Sequence, residues 1–227
     1  GERESLLAFS KAGMDSLKRD SAAEFAKRQL SSKSCTACHG MDGNASGLDK
    51  LHSNTAALAA HVEGLDERVD QSRPHLTFVG EMLFTSYIES MLAGNAEPRP
   101  RPWLGTRMPA FGAHAKPFAE GLGRMHGFEP SAPLKMEVDK ELSVIGKSLV
   151  GAEGFGCTTC HGIGDQPATA AFEVGAVNFE LTPGRLREEF YHRWMDNPQS
   201  VTPGSKMPRY AEGNESQRGD ILEGDAR

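Results

Sequence analysis

The sequence lacks several features that would place it in other classes of protein. No run approaches the roughly 20 consecutive apolar residues that cross a bilayer, so we expect no transmembrane segment. Acidic and basic residues are interspersed without a long run of one sign, and the formal net charge is -6, which argues against a nucleic-acid partner. No alternation of apolar and polar residues is long enough for a sheet, so the expected fold class is all-α.

Apolar residues are also scarce. They make up 38% of the 227 residues, below the usual share, whereas glycine and proline number 25 and 13. A chain of this length is expected to form two small domains, each with a modest core. A bound cofactor would supplement such a core, because it supplies apolar surface that the side chains do not.

No cysteine remains for structural disulfides, because two Cys-x-x-Cys-His-Gly motifs contain all four cysteines. The cysteines and histidines of these motifs are Cys35, Cys38, His39, Cys157, Cys160 and His161. Two thiols at this spacing can reach the two vinyl groups of one porphyrin, so each motif predicts the covalent attachment of one c-type haem. The histidine beside the second cysteine would supply a nitrogen ligand to the iron.

The same cysteines allow two other interpretations. They could form one four-cysteine zinc site, or each pair could be a redox-active dithiol. Zinc is disfavoured because the pairs lie far apart in the sequence and because each is followed by His-Gly. The dithiol is disfavoured because neither pair follows a strand-like segment. We therefore favour two haems.

A methionine followed by proline lies downstream of each motif, at Met108-Pro109 and at Met207-Pro208. Thioether sulfur is a soft ligand that favours ferrous iron, and proline stiffens the loop in which the sulfur lies. The two methionines are therefore the predicted second ligands of the two irons. His114 is the principal rival at the first iron, because it follows Met108 closely in the sequence.

Each half of the sequence repeats one order of parts. A helix is predicted before each motif, over 21–30 and over 140–150, and a closing helix is predicted over 117–126. Another helix precedes each methionine loop. In the first half it covers 80–92 and stops at Gly94, and in the second half it starts with Thr182 and Pro183 and ends at Asn197. Their expected apolar stripes are Leu83, Tyr87, Met91 and Leu186, Phe190, Trp194.

This order of helix, haem motif, haem-wrapping segment, helix and Met-Pro loop resembles the class I c-type cytochromes. The resemblance covers about residues 21 to 126 and 140 to 210 and is strongest in the second half. It implies two tandem helical domains, 1–128 and 140–227, joined by a linker over 129–139, each wrapped around one covalently bound haem. It further implies that the cysteines are thioether anchors, that the motif histidines are proximal ligands, and that the distal ligands are Met108 and Met207.

Two departures from the family pattern are evident. The segment after Met207 is a short tail containing glycine and aspartate, so the closing helix of the second domain is expected to be cut off, as in a piece of a longer protein. Met108 also lies farther from its motif than Met207 does. An inserted segment over 52–75, folded across a haem edge, is the expected consequence.

The resemblance implies one-electron transfer and no enzymatic activity of the chain itself. With histidine and methionine on both irons, no coordination position is open for substrate. The expected partners are a redox donor and acceptor. A weaker similarity, to dihaem regions attached to periplasmic dehydrogenases, implies instead a dehydrogenase domain of the same longer chain. The expected location is the periplasm or another exported compartment, and the alternative function is a dihaem enzyme such as a peroxidase with one open haem.

Basic residues near the methionine loops could pair with haem propionates or with a partner protein. These residues are Arg99, Arg101, Arg107, Lys206 and Arg209. A solvated basic rim without a specific role is an equally good interpretation of the same residues.

Overall fold

The structure is a computed structural model that describes residues 1–13, 21–59, 61–63, 73–135, 137–170, 175–212 and 215–221. The described chain is mostly helical, which confirms the predicted all-α class. Its α-helices are, in chain order, α1 Glu2–Ala12, α2 Ala22–Ser32, α3 Gly47–Ala59, α4 Val79–Met82, α5 Thr85–Ala93, α6 Ala115–Met125, α7 Lys140–Val150, α8 Glu188–Asp196 and α9 Pro198–Val201. A short antiparallel hairpin pairs β1 Ala211–Glu212 with β2 Glu215–Ser216. We call residues 1–128 the first half and residues 140–227 the second half.

The first half packs around the crossing of α2 and α6. At the crossing, a Cβ atom on Gly121 would lie 2.3 Å from the carbonyl oxygen of Ala22 and 2.7 Å from the Cβ of Ala26, so only glycine lets the two helices approach this closely. Helix α6 is the predicted closing helix of 117–126, and its Phe118 is 1% exposed. The buried hydrophobic cluster comprises Ala26, Leu30, Val79, Leu83, Ile88, Leu92, Ala115, Phe118, Ala119 and Leu122.

The helix predicted over 80–92 is interrupted. Helices α4 and α5 end and begin on either side of Leu83 and Phe84, which have extended backbones. The interruption has a tertiary cause, because Leu83 forms an antiparallel bridge with Leu186 of the second half. The restart rotates the buried face of α5. Of the predicted stripe, Leu83 is buried and Tyr87 packs against the buried cluster, whereas Met91 is only half-buried. The predicted stop at Gly94 is confirmed, with φ of 77°. The buried residues of α5 are Thr85, Ile88 and Leu92.

Helix α7 has the predicted bounds. It begins after Asp139, whose carboxylate accepts hydrogen bonds from the backbone N–H groups of Glu141 and Leu142 at 2.9 and 3.0 Å. No residue of α7 is buried, and Leu142 and Val144 are 56% and 70% exposed. Helix α2, its counterpart in the first half, is covered by α6. In the described residues after Met207 the chain forms the β1–β2 hairpin and no helix.

The helix before the second methionine loop begins later than predicted. Thr182 and Pro183 do not open it, because the residues that follow them are used in pairing with the first half. Helix α8 starts at Glu188 and ends before Asn197, where the predicted end is confirmed. Phe190 is buried and Trp194 is half-buried, as the predicted stripe requires.

Backbone hydrogen bonds join the two halves on both sides of the Leu83–Leu186 bridge. The N–H of Phe84 donates to the carbonyl of Arg185, and the N–H of Arg187 donates to the carbonyl of Met82, both at 3.0 Å. The start of the predicted linker is attached as well. The backbone N–H of Ser131 donates to the Thr85 hydroxyl oxygen at 3.2 Å. The halves are thus held together by strand-like pairing as well as by side-chain packing.

Arg187 fixes this junction with its side chain. It is 6% exposed, and its Nε donates to the carbonyl oxygens of Gly80 and Leu83 at 3.2 and 3.1 Å. Its guanidinium lies 4.6 Å from the ring centroid of Phe128. A buried guanidinium is stable here because backbone carbonyls and an aromatic face replace its water.

Helix α1 was not predicted from the sequence, and it has no buried residue. Within the described part of the chain, no helix combines the length and apolarity needed to cross a lipid bilayer. The two motifs are positioned by α2 and α7, which precede them, and by later segments of each half that return to contact them.

Candidate haem sites

Each Cys-x-x-Cys-His motif forms one tight turn. A residue with left-handed backbone precedes the turn, Ser34 in the first half and Gly156 in the second, with φ of 52° and 67°. The N–H groups of Cys38 and His39 donate to the carbonyl of Cys35 at 3.1 and 3.0 Å. The second motif repeats these bonds at 3.1 and 2.9 Å. Two thiols and one imidazole thus lie on a single turn in each half.

The imidazole of each motif is held by a backbone carbonyl. Nδ1 of His39 lies 2.8 Å from the carbonyl oxygen of Pro74, and Nδ1 of His161 lies 2.7 Å from that of Val177. Because a carbonyl can only accept, Nδ1 carries the proton and Nε2 keeps a lone pair. Burial lowers the pKa of both histidines, which favours the neutral ring. Metal-binding histidines commonly have this arrangement.

The glycine after each histidine bonds to the same returning segment. The N–H of Leu76 donates to the carbonyl of Gly40, and the N–H of Phe179 donates to that of Gly162, both at 2.9 Å. In both halves the donor lies two residues after the carbonyl that holds the histidine. A Cβ atom on Gly40 would lie 2.6 Å from Nδ1 of His75, so a larger residue would push the segment away.

The extra length of the first half lies between the motif and the returning segment. The histidine and its carbonyl partner are 35 residues apart in the first half and 16 in the second. Helix α3 occupies most of the described part of this extra segment. Because α3 begins at Gly47, the extra segment starts before the predicted 52–75. It packs against the motif, since a Cβ atom on Gly47 would lie 3.2 Å from the carbonyl oxygen of Ala37. Residues 60 and 64–72 of the predicted insertion lie outside the described residues.

The four thiols form no disulfide and are partly buried. Burial raises the pKa of Cys35 and of Cys157, whereas a redox-active dithiol needs a lowered pKa. A zinc site needs three or four clustered ligands. The described residues contain no group of three or more His, Cys, Asp or Glu side chains placed to share an ion. Neither competing interpretation gains support, whereas haem iron needs only one imidazole and one thioether from the protein.

Met207 is half-buried, and its sulfur accepts a hydrogen bond from Nε1 of Trp194 at 2.9 Å. Its loop is tied to the end of α8, because Nε of Arg209 donates to the carbonyl of Asp196 at 2.9 Å. The N–H of Met207 also donates to the hydroxyl oxygen of Ser205 at 3.2 Å. The thioether is therefore held between a helix and its own loop.

Met108 has a more open environment. It is 39% exposed, and no described residue donates a hydrogen bond to its sulfur. Its loop is tied to the end of α5, since the N–H of Phe111 donates to the carbonyl of Leu92 at 2.6 Å. The rival ligand His114 is exposed, with its ring edge-on to that of Phe25 at 6.1 Å. Among the described residues, no hydrogen bond or ring contact joins either methionine to its own motif.

Several aromatic rings lie beside the second motif. Phe179 stacks on the His161 ring at 4.3 Å, and Tyr210 lies 4.9 Å from Phe155 between ring centroids. Burial raises the pKa of Tyr210, and the nearby thiols of this motif raise it further. The ring on His161 and the rings near the two thiols provide apolar surface suited to a porphyrin.

Neither a protein family, nor a curated protein, nor a solved structure matches this chain. The two halves of the chain can instead be compared with each other. They share the motif turn, the histidine–carbonyl bond and the glycine–carbonyl bond, although the helices around these features differ. Because the same set of contacts occurs in both halves, chance is a poor explanation for it.

Two arginines gather where the halves meet. Arg185 lies with its guanidinium carbon 5.9 Å from the ring centroid of Tyr87, and no described carboxylate pairs with it. Burial lowers its pKa, and the positive charge of Arg101 lowers it further. Burial also lowers the pKa of Arg101. Of the other basic residues near the loops, Arg209 is committed to Asp196 and Glu212.

Sequence reasoning missed several of these residues. The carbonyls of Pro74 and Val177 cannot be recognised from side-chain types, because any residue carries a carbonyl. In the sequence, Arg185 and Arg187 look like solvent-facing charges next to a helix, and Trp194 looks like a residue that only fills the core. The sequence did contain a signal for the glycine contacts, because His-Gly follows both cysteine pairs. In each half the carbonyl of that glycine accepts a hydrogen bond from the returning segment.

Proposed function

We propose that this chain binds two haems covalently and transfers single electrons between redox partners. The haem, when bound, supplies the one-electron chemistry. The observation that carries the proposal is the repeated motif geometry, in which free thiols share a turn with a histidine whose Nδ1 lies 2.7–2.8 Å from a backbone carbonyl. The residues proposed to hold the haems are Cys35, Cys38, His39 and Met108 for the first and Cys157, Cys160, His161 and Met207 for the second.

Each half would then be one haem-binding domain, with the proposed linker over 129–139 between them. The carbonyl bonds fix the orientation of the two imidazoles, and the loop contacts to α5 and α8 fix the approach of the two methionines. The motif cysteines and histidine of each half, together with its methionine, would hold the porphyrin, and no described hydrogen bond joins either methionine to its own motif. Burial of a bound haem would disfavour the extra charge of the ferric state and so raise its reduction potential.

The arginines at the junction favour a cofactor with carboxylate groups. Arg185 is half-buried without a described carboxylate partner, and Arg101 adds a second positive charge nearby. A half-buried guanidinium such as that of Arg185 is stabilised when an anion binds it. Haem propionates are anions of this kind, so the junction would bind propionates while Arg187 holds the halves together.

The partners proposed are a redox donor and acceptor, or a dehydrogenase domain of the same longer chain. A chain that carries covalent haem would mature outside the cytoplasmic membrane, in the periplasm or an equivalent exported compartment. The formal net charge of -6 favours docking to basic patches on a partner. The weak salt-sensitive attraction expected from such a surface suits a carrier that must release its partner after each transfer.

The experiment that tests the proposal is an absorption study of the chain matured in cells that attach c-type haem. The expected result is two haems per chain and, in the ferric protein, a near-infrared sulfur-to-iron band. Met108→Ala and Met207→Ala should each remove part of that band, whereas the control Met195→Ala should leave it. A colourless protein, or a band that survives loss of both predicted ligands, would overturn the assignment.

A dihaem peroxidase is the second candidate, and the openness around Met108 is the observation that favours it. A side chain that is 39% exposed and lacks a hydrogen bond to its sulfur can leave the iron more easily than Met207 can. Peroxide turnover by the reduced protein tests this alternative. Turnover that disappears when a stronger ligand replaces Met108, as in Met108→His, would support an enzyme. No turnover would leave electron transfer as the function.

A further inference from the structure

The hydrogen bond from Trp194 to Met207 is an unusual use of a half-buried indole. The indole N–H is a donor only, and a thioether sulfur is a weak acceptor. The two atoms nevertheless lie 2.9 Å apart. The ring of Trp194 is nearly parallel to that of Phe190, at an interplanar angle of 21° and a centroid distance of 6.2 Å. Because Phe190 is 2% exposed, it fixes the plane from which the indole donates.

The methionine loop has other anchors besides this bond. Arg209 donates to the carbonyls of Asp196 and Ala211, both at 2.9 Å, and Ser205 accepts from the N–H of Met207. The loop would therefore keep its course if the indole N–H were removed. The bond from Trp194 acts on the sulfur itself, on its orientation and on its electron density.

The first half offers no such donor. Leu92 and Trp194 occupy corresponding places in the two halves. Leu92 follows the buried residues Thr85 and Ile88, and Trp194 follows the buried residues Arg187 and Phe190 at the same spacing. Leucine has no donor group, and no described residue donates to the sulfur of Met108. The two proposed haem sites thus differ at one identifiable contact.

We infer that Trp194 is a positioning residue for the second haem, which holds the Met207 sulfur toward iron and raises the potential of that iron above the value it would have without the bond. The inference rests on the proposed function. A sulfur that accepts a hydrogen bond gives less electron density to ferric iron, so the ferrous state is favoured. The bond also opposes replacement of the sulfur by an external ligand, because both interactions must be lost together.

The test is Trp194→Phe in the matured two-haem protein, with Trp103→Phe as the control. Trp103 is the other tryptophan and is 42% exposed. We expect Trp194→Phe to lower one of the two midpoint potentials and to increase about two- to tenfold the equilibrium constant for replacing one methionine by imidazole, the range expected for one hydrogen bond. Trp103→Phe should change neither. Unchanged potentials and imidazole binding in a fully loaded Trp194→Phe protein would overturn the inference and leave the proposed function intact.

A measurement on the unaltered protein guards against a variant that fails to mature. In the ferrous state, the indole proton of one tryptophan should show a nuclear Overhauser effect to the methyl group of a haem-bound methionine and slow exchange with solvent. Absence of that contact in a protein with two haems and two methionine ligands would refute the role of Trp194. Absence of haem altogether would refute the proposed function instead.

Discussion

The first half of the chain has a hydrophobic core of its own, and the second half has very little. Ten buried side chains cluster around α2, α5 and α6, where two helices cross at Gly121. Among the described residues of the second half, the buried apolar side chains are Phe190 and Pro198, and α7 buries none. Both halves nevertheless hold their motif histidine in the same way. Motif geometry therefore depends on the returning segment and not on how the helices pack.

The comparison also shows where the second half obtains its order. It contacts the first half through the Leu83–Leu186 bridge and through Arg187, and it also contacts its own tail. In the tail, Arg218 bonds to the carbonyl of Glu153 in the loop before the second motif. A half that lacks a side-chain core is expected to gain much of its stability from the proposed haem and from its neighbour.

The largest effect is expected from the core that only the first half has. Phe118→Ala removes a ring that is 1% exposed and should reduce the free energy of unfolding by about 3–5 kcal/mol. The matched change in the second half is Leu142→Ala on α7, where the side chain is 56% exposed, and it should stay within about 0.5 kcal/mol. Denaturant unfolding of the matured protein measures both. Similar losses would show that α7 is as well covered as α6.

The next effect concerns the junction between the halves. Arg187→Met leaves the carbonyls of Gly80 and Leu83 without their charged donor and should cost about 1.5–3 kcal/mol. Arg124→Met is the control, because the ion pair of Arg124 with Glu129 is exposed and should contribute no more than about 1 kcal/mol. Calorimetry should show the unfolding of Arg187→Met split into two transitions. A single transition with unchanged midpoint would mean that the halves do not depend on Arg187.

A pair of glycines gives effects of opposite sign. Gly121→Ala would place a Cβ 2.3 Å from a backbone oxygen of α2 and should destabilise the protein by about 1–3 kcal/mol. At Gly146 on α7 a Cβ meets nothing within 4 Å, so Gly146→Ala should stabilise by about 0.5–1 kcal/mol through helix propensity. Thermal unfolding separates the two. Destabilisation by Gly146→Ala would reveal a helix or partner packed on α7.

The smallest effect lies in the tail of the second half. Hydrogen bonds from Arg218 lower the pKa of Asp220 to about 2, from its ordinary value of 3.8. A lowered pKa means that the contact stabilises the folded tail above pH 3.8 and is lost as the pH falls toward 2. Amide exchange in the 151–156 loop should therefore rise over that range, and Asp220→Asn should raise it at neutral pH. Glu215→Gln, on the exposed hairpin, should not.

The sequence predicted those parts of the structure that have local causes. Helix α7 has its predicted bounds because Asp139 is a strong N-cap, and α5 stops at Gly94 because glycine tolerates the left-handed backbone there. The break at Leu83 and Phe84 was not predictable, since it arises from pairing with a segment about a hundred residues away. Local pattern carries no information about such a partner.

The candidate site likewise has parts that the sequence reveals and parts that it does not. The thiols, imidazoles and thioethers are visible in the sequence because their chemistry is in the side chains. The groups that orient them are not visible, because two are backbone carbonyls and the third is the indole of Trp194, whose place on an apolar stripe looks like ordinary core. The different surroundings of Met108 and Met207 required the folded structure.

The most direct test of the central claim is the intact mass of the matured chain and of two double variants. The unaltered chain should have its mass increased by two haems. Cys35→Ser/Cys38→Ser should keep only the haem of the second half, and Cys157→Ser/Cys160→Ser only that of the first. A chain without added porphyrin, or variants that keep both haems, would contradict covalent attachment at these motifs.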